Sequence, residues 1–213
     1  VLEFRGALNT SGFEVLGGAT LVVGGTATLA VGMGGAYSAS KLALRQGATV
    51  RLDNSFDLPS IGNGTSRVGS ANSLTLDGVT LQLKGSSVAD VVENIGTLTA
   101  YGATVLQPQY IYAGRTATFS IGTLTRGVNN VAVSGGAALA GNNGVVSIQP
   151  TTATYLGLNE RVMVSGTAPA VMNGMVLPWM WNATDSQFLT YGELGFTNAG
   201  FNLVNLGGTA AAN

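Results

Sequence analysis

Short segments that alternate apolar and polar residues, each closed by Gly, Asn or Asp, run through this chain almost without interruption: ATLVVGG, TATLAVG, NSLTLDG, VTLQLKG, GTLTAYG, TATFSIG and GVVSIQP. A period of two is the mark of a strand with one buried face, and strands at this density point to an all-β architecture. The segments also repeat. KLALRQGATVRLDN (41–54) superposes on SLTLDGVTLQLKG (73–85) with Leu42 on Leu74 and Leu44 on Leu76, then, one residue shorter at the turn, Val50 on Leu81 and Leu52 on Leu83. TLTAYGATVLQ (97–107) is a third, weaker copy. Units that cannot bury their apolar face alone form a continuous core when stacked. The expected fold is therefore all-β, a parallel β-helix or β-solenoid of irregular coils with turns rich in Gly and Asn. It occupies residues 1–213 as a single unit. Leu42, Leu44, Val50, Leu52, Leu74, Leu76, Leu81 and Leu83 face the interior, and Lys41, Arg45, Arg51 and Lys84 face out.

One string invites a different reading. Tyr37 and Lys41, in AYSASK, form Tyr-x-x-x-Lys and look like the catalytic string of short-chain dehydrogenases. Such an enzyme places a Gly-rich phosphate loop between a first strand and a helix upstream of the Tyr. Only 36 residues precede Tyr37, and their glycines never give that pattern. After Lys41 the residues alternate with a period of two and then meet Gln46-Gly47, so no helix follows. Tyr37 and Lys41 are expected to lie on a strand or turn and to have no catalytic role.

Composition narrows the function classes. Charged residues are 9% of the chain and Gly 32 of 213, far less charge than an ordinary soluble domain or a disordered tail carries. A net charge of −1 gives weak self-repulsion, so association is expected. With no Cys and no His, disulfides, thiol nucleophiles, Cys-based zinc sites and His-based general catalysis are excluded. No enzyme activity, cofactor or metal is expected. The nine Lys and Arg residues are spread singly from Arg5 to Arg161, which gives nucleic acid no electrostatic footprint. No membrane span is expected: the longest apolar candidate, VMNGMVLPWMW, is short and carries Asn, Gly and Pro. The chain begins at Val1, and the expectation is a processed chain, a fragment or one repeat unit of a larger protein.

Three elements carry a family resemblance: Ser66-Arg67-Val68-Gly69, then Leu74-Thr75-Leu76-Asp77-Gly78-Val79-Thr80-Leu81, then Glu93-Asn94-Ile95-Gly96-Thr97-Leu98. They resemble the motifs of the autotransporter-associated β-strand repeat proteins, with Ser66 where that family usually has Asn. Residues 170–200, with Trp179, Trp181 and the run Asn-x-Thr-Asp-x-x-Phe-x-x-Tyr, look like the closing element of the repeat, an aromatic-bearing segment. The resemblance implies a secreted or surface-exposed bacterial parallel β-solenoid and implies no catalytic residue.

The candidate site residues each have a plain alternative. Asp53 with Asp57 and Asp90 with Glu93 are the nearest acidic pairs; a polysaccharide lyase or glycosidase would need such carboxylates to converge. Asp53 beside Asn54 reads as a turn residue, and Glu93 as the cap of a backbone turn. Thr-x-Thr recurs at Thr26/Thr28, Thr97/Thr99, Thr116/Thr118 and Thr123/Thr125. The intervals between pairs do not fit one pair per coil, so an ice-binding face is not expected and Thr reads as an ordinary strand former. Asn9, Asn63 and Asn182 open sequons in form only. The cluster Trp179, Trp181, Phe188, Tyr191 and Phe196 serves core packing, a subunit contact or sugar stacking.

The expected function is a structural subunit of an extracellular fibre, sheath or surface layer, stacked head to tail with itself or joined covalently to neighbouring repeats. Leu2 and Phe4 at one end, Val204 and Leu206 at the other, and Trp179, Trp181, Phe188 and Tyr191 are the candidate interface. The alternative is an autotransporter-type adhesin passenger that binds surface glycans.

Overall fold

A computed structural model describes residues 1–5, 13–24, 42–44, 46–55, 66–127 and 144–200. The architecture is all-β, with parallel sheets, and among the described residues the one helical element is a 3-10 turn, Ala153–Tyr155. One sheet takes β1 (Leu2–Phe4), β3 (Thr20–Val23), β5 (Thr49–Asp53), β7 (Thr80–Lys84), β9 (Ala103–Gln109), β11 (Val145–Ile148) and β13 (Met180–Asn182), side by side and parallel. β14 (Gln187–Gly192) and β15 (Gly195–Asn198) extend the same sheet but run antiparallel. A second parallel sheet takes β6 (Gly69–Asp77), β8 (Val91–Tyr101), β10 (Ala117–Arg126) and β12 (Glu160–Val164). β2 (Phe13–Val15) and β4 (Leu42–Leu44) pair in parallel as a third, two-stranded sheet. Odd-numbered strands up to β13 thus fall in one sheet and even-numbered strands up to β12 in the others. Up to β13 successive strands alternate between sheets, and from β3 each pairs with the strand two before it, except that β4 and β6 are not paired among the described residues.

The apolar columns of the sequence become columns in space. Leu21, Val50, Leu81, Leu106 and Ile148 follow one another in register across β3, β5, β7, β9 and β11. Val23, Leu52 and Leu83 make a second column. These side chains and Leu74, Leu76, Leu98, Phe119, Ile121 and Val162 from the second sheet form one buried cluster, in which each buried Leu contributes about 1.5–3 kcal/mol. The pairing of Val50 with Leu81 and of Leu52 with Leu83 follows the spacing of the sequence repeat. Leu74 and Leu76 pair with Leu98 and Ala100 of the third copy. Arg51 and Lys84 are half-buried on the outside; Lys41, Arg45, Tyr37 and the side chain of Leu42 lie outside the described residues.

Strand register holds while the connections vary. On the outer face of the first sheet, Arg51 Nε donates to Gln82 Oε1. Gln82 Nε2 donates to Gln107 Oε1 at 2.8 Å and Gln107 Nε2 to Gln149 Oε1 at 3.0 Å. Successive members of this ladder are 31, 25 and 42 residues apart in sequence. Side chains far apart and unevenly spaced in sequence thus meet in one ladder, and unequal separations cost little because loop-closure entropy grows only logarithmically.

The second sheet bends at glycines. Ile-Gly-Thr-Leu-Thr occurs at 95–99 and again at 121–125, and the two copies pair in register on β8 and β10. Before the bend Phe119 and Ile121 are buried; after it Leu124 turns inward while Thr123 and Thr125 are exposed. Gly122 is required there because a Cβ would lie 2.4 Å from the carbonyl oxygen of Gly96. A Cβ on Gly166 would likewise lie 2.3 Å from the carbonyl oxygen of Gly122.

Candidate functional site: an open sheet edge, an aromatic closing segment and a buried charge cluster

The acidic residues fasten loops. Glu93, on β8 and 1% exposed, accepts from Ser66 Oγ at 2.5 Å, the Val68 N–H at 2.7 Å and the Arg67 N–H at 3.0 Å. The first and third elements of the sequence motif therefore meet in space. Arg67, 2% exposed, donates from Nε to Asn54 Oδ1 at 3.0 Å and from Nη2 to the Asp53 carbonyl at 2.9 Å. Asp53 accepts from the Ser55 N–H at 2.9 Å, and Lys84 Nζ lies 3.5 Å from its other oxygen. Where the sequence reads as a turn residue, Asp53 is instead the last residue of β5, in register with Lys84, and its carboxylate caps the backbone that follows the strand. Glu160, on β12, repeats the role of Glu93: it accepts from the Thr151 N–H at 2.5 Å, Thr151 Oγ1 at 2.6 Å and the Tyr110 N–H at 3.1 Å. Asp90 is exposed and holds the Thr116 N–H at 2.9 Å. Asp57 lies outside the described residues, and among the described residues no three acidic side chains gather as a metal site would require.

Burial pushes the Glu93 carboxyl above the usual range against the pull of Ser66, the Val68 and Arg67 N–H groups and the Arg67 guanidinium. Burial also lowers Arg67, opposed by Glu93 and Asp53, and it raises Glu160 against Thr151 and Tyr110. At Asp53 burial pulls upward, but the Ser55 hydrogen bonds and Lys84 together hold the carboxyl below its ordinary value. A carboxyl raised in the folded state binds protons that the unfolded chain has released, so its contribution to stability falls as pH rises. The melting temperature is therefore expected to decline as pH climbs from the ordinary glutamic value of 4.5 through the raised values. Asp53 acts oppositely, its contribution being lost as pH falls through its depressed value. Thermal melts across pH check this: Glu93→Gln should flatten the decline, and a melting temperature that climbs with pH in that window contradicts the assignment.

The aromatic segment closes over the last parallel strand of the second sheet. Tyr191 Oη accepts from the Val164 N–H at 2.8 Å and donates to the Val164 carbonyl at 3.0 Å. Its ring meets Phe196 edge to face, with centroids 4.9 Å apart, and Phe196 is fully buried. Gly195 presses on β12 so closely that a Cβ would lie 2.4 Å from the Val162 carbonyl oxygen. Trp179 packs half-buried against the core beside a small cavity of about 120 Å³ lined also by Leu124, Pro169, Val176 and Met180. Trp181, half-buried, pairs across β13 and β14 with Phe188, which is 48% exposed. Trp179 and Tyr191 thus pack inward, and Phe188 offers the larger exposed aromatic surface.

At the other side of the stack, β1 is an edge strand whose one partner among the described residues is β3. Leu2 is 46% and Leu16 61% exposed, and both line an open groove of about 270 Å³ with Val1, Val15, Ala19 and Leu21. The backbone of Phe4 pairs with Val23. The side chain of Phe4, with Val204 and Leu206, lies outside the described residues.

The Thr pairs are in better register than their intervals imply. Thr97 and Thr99 pair with Thr123 and Thr125 on one side and with Ser73 and Thr75 on the other. Thr118 shares β10 with Thr123 and Thr125, so two of the Thr-x-Thr pairs reach the same strand, as their short interval requires. Thr26 and Thr28 lie outside the described residues, as do Asn9 and Asn63. Asn182 is buried, donating to Asn198 Oδ1 at 2.9 Å and accepting from the Thr184 N–H, and offers no acceptor for a glycan. Among the described residues no helix is long and apolar enough to cross a membrane. Comparison with known proteins returns no matching family model, curated protein or solved structure.

Proposed function

We propose that this chain is a β-solenoid unit of an extracellular bacterial fibre, sheath or surface layer, stacked end to end with copies of itself or with neighbouring repeats. The observation that carries the reading is the outer edge of β1. An edge strand presents unpaired N–H and C=O groups to any further strand, and here it borders an apolar groove that exposes Leu2 and Leu16. An added strand would continue the sheet at roughly 4.8 Å. Such a contact joins unlike surfaces and does not close on itself, so it propagates as a filament. Low charge and the motif resemblance support the same reading and the surface location.

Negative-stain images and sedimentation test it. The parent should form regular filaments, Leu2→Lys with Leu16→Glu should disperse them, and Trp179→Ala with Trp181→Ala should leave them intact. If the charged variant assembles like the parent and the Trp variant disperses, the contact is lateral and the edge is not the joint. An adhesin passenger is the second reading, favoured by the hydroxyl ranks on β6, β8 and β10.

A further inference from the structure

The outward residues at the C-terminal ends of β6, β8 and β10 form a platform of unusual chemistry. Ser73, Thr97 and Thr123 make one row across the three strands, and Thr75, Thr99 and Thr125 make the next. Rows repeat at about 6.6 Å along the strands and neighbours at about 4.8 Å across them, from sheet geometry. Ser73, Thr123 and Thr125 are exposed and Thr75, Thr97 and Thr99 half-buried. None of these six hydroxyls bonds to a described residue, whereas those of Thr104, Thr151 and Thr184 are engaged.

The third row changes character. Tyr101 stands in register with Asp77, and its ring covers Gly127: a Cβ there would lie 2.4–2.6 Å from Tyr101 Cδ1, Cε1 and Cγ. Gly127 thus leaves room for a ring laid against the backbone beside the two hydroxyl rows. Asp77 accepts from Gln46 Nε2 at 3.3 Å, and Arg126 donates from Nε to the Gly144 carbonyl.

We propose that this face binds a neutral polysaccharide chain, one sugar ring stacked on Tyr101 and its neighbours hydrogen-bonded to the Ser/Thr rows. Hydroxyls both donate and accept, which matches a ligand whose polar groups are themselves hydroxyls. An aromatic ring supplies the apolar surface that the C–H face of a sugar requires. A charged polymer finds no opposite charge in the two rows. A crystalline water surface would need the ranks to continue unbroken, and the third row interrupts them with Tyr101 and Asp77. The inference gives the adhesin reading a ligand class and is independent of end-to-end stacking, because filament images score the edge of β1 and binding scores this face.

The test is affinity electrophoresis in gels containing mixed-linkage β-glucan, xyloglucan, glucomannan or dextran, with pull-down on cellulose and chitin. At least one polymer should retain the parent. Thr99→Val with Thr125→Val, which keeps side-chain shape and strand preference, should weaken retention tenfold or more, as should Tyr101→Ala. Trp179→Ala with Trp181→Ala should bind like the parent. Melting curves establish that the variants are folded, and the Thr→Val pair carries the test if Tyr101→Ala does not fold. Failure of every polymer to retain the parent, or equal retention of the folded Thr→Val pair, overturns the proposal. Freezing-point hysteresis without polysaccharide retention overturns it in favour of an ordered-water face.

Discussion

Glu93→Ala is expected to cost about 3–5 kcal/mol of stability, the loss typical when one partner of a buried charge pair is removed. At about 2–4 °C per kcal/mol for a chain of this size, the melting temperature should fall by roughly 6–20 °C. The truncation removes the larger of two carboxylate charges, Glu93 and Asp53, that oppose the cost of burying the Arg67 guanidinium, and it strips acceptors from the Arg67 and Val68 N–H groups. Ser66 keeps a partner, because its Oγ also donates to the Asn94 carbonyl at 2.7 Å. Glu93→Gln keeps the shape and one acceptor, so its loss should be smaller. Asp90→Ala removes an exposed hydrogen bond and should cost under about 1 kcal/mol. Denaturant titration of the three variants checks the order; a Glu93→Ala chain as stable as the parent would remove the cluster from the account of this fold.

Leu76→Ala should cost about 2–5 kcal/mol, the transfer free energy of a buried Leu plus the cavity left behind. Leu76 is fully buried in the second sheet, next to Ala100 in register, where a smaller neighbour leaves little to collapse into the space. Thr75, one residue earlier, faces outward and is half-buried, and Thr75→Ala should stay within about 0.5 kcal/mol. Equilibrium unfolding of the pair reads the strand register directly. If the Thr variant melts low and the Leu variant does not, the side chains of β6 face the opposite way.

The strand periodicity was legible because alternation is local: positions such as Val50, Leu52, Leu81 and Leu83 declare their face from their immediate neighbours. Their pairing was legible too, since the repeat differs by one residue only at a turn. The Thr ranks were not, because strict alternation from Phe119 and Ile121 would place Thr123 inside, and the bend at Gly122 reverses that order. The recurring Ile-Gly-Thr-Leu-Thr was the signal available, and it marks both the bend and the rank. Glu93 read as a turn cap, but the donors it holds, on residues 66–68, are brought to it by strand pairing and carry no local mark. Of the candidate interface, Tyr191 and Trp179 turn inward because the segment folds onto β12, a long-range contact that aromatic content does not encode.

The uneven widths of the strand pairings have a mechanical consequence. Inter-strand hydrogen bonds point from one strand to the next, so a pull along the stack loads all the bonds of a given step at once. At the edge β1 pairs with β3 over three residues, whereas β8 and β10 pair over nine. Tension therefore concentrates at that narrow edge step and spares the broad pairing where Gly96 and Gly122 are stacked and the Ser/Thr rows lie. Under load the β1 edge should peel first while the region of β8 and β10 keeps its shape, as a rope frays at its end before its lay is lost.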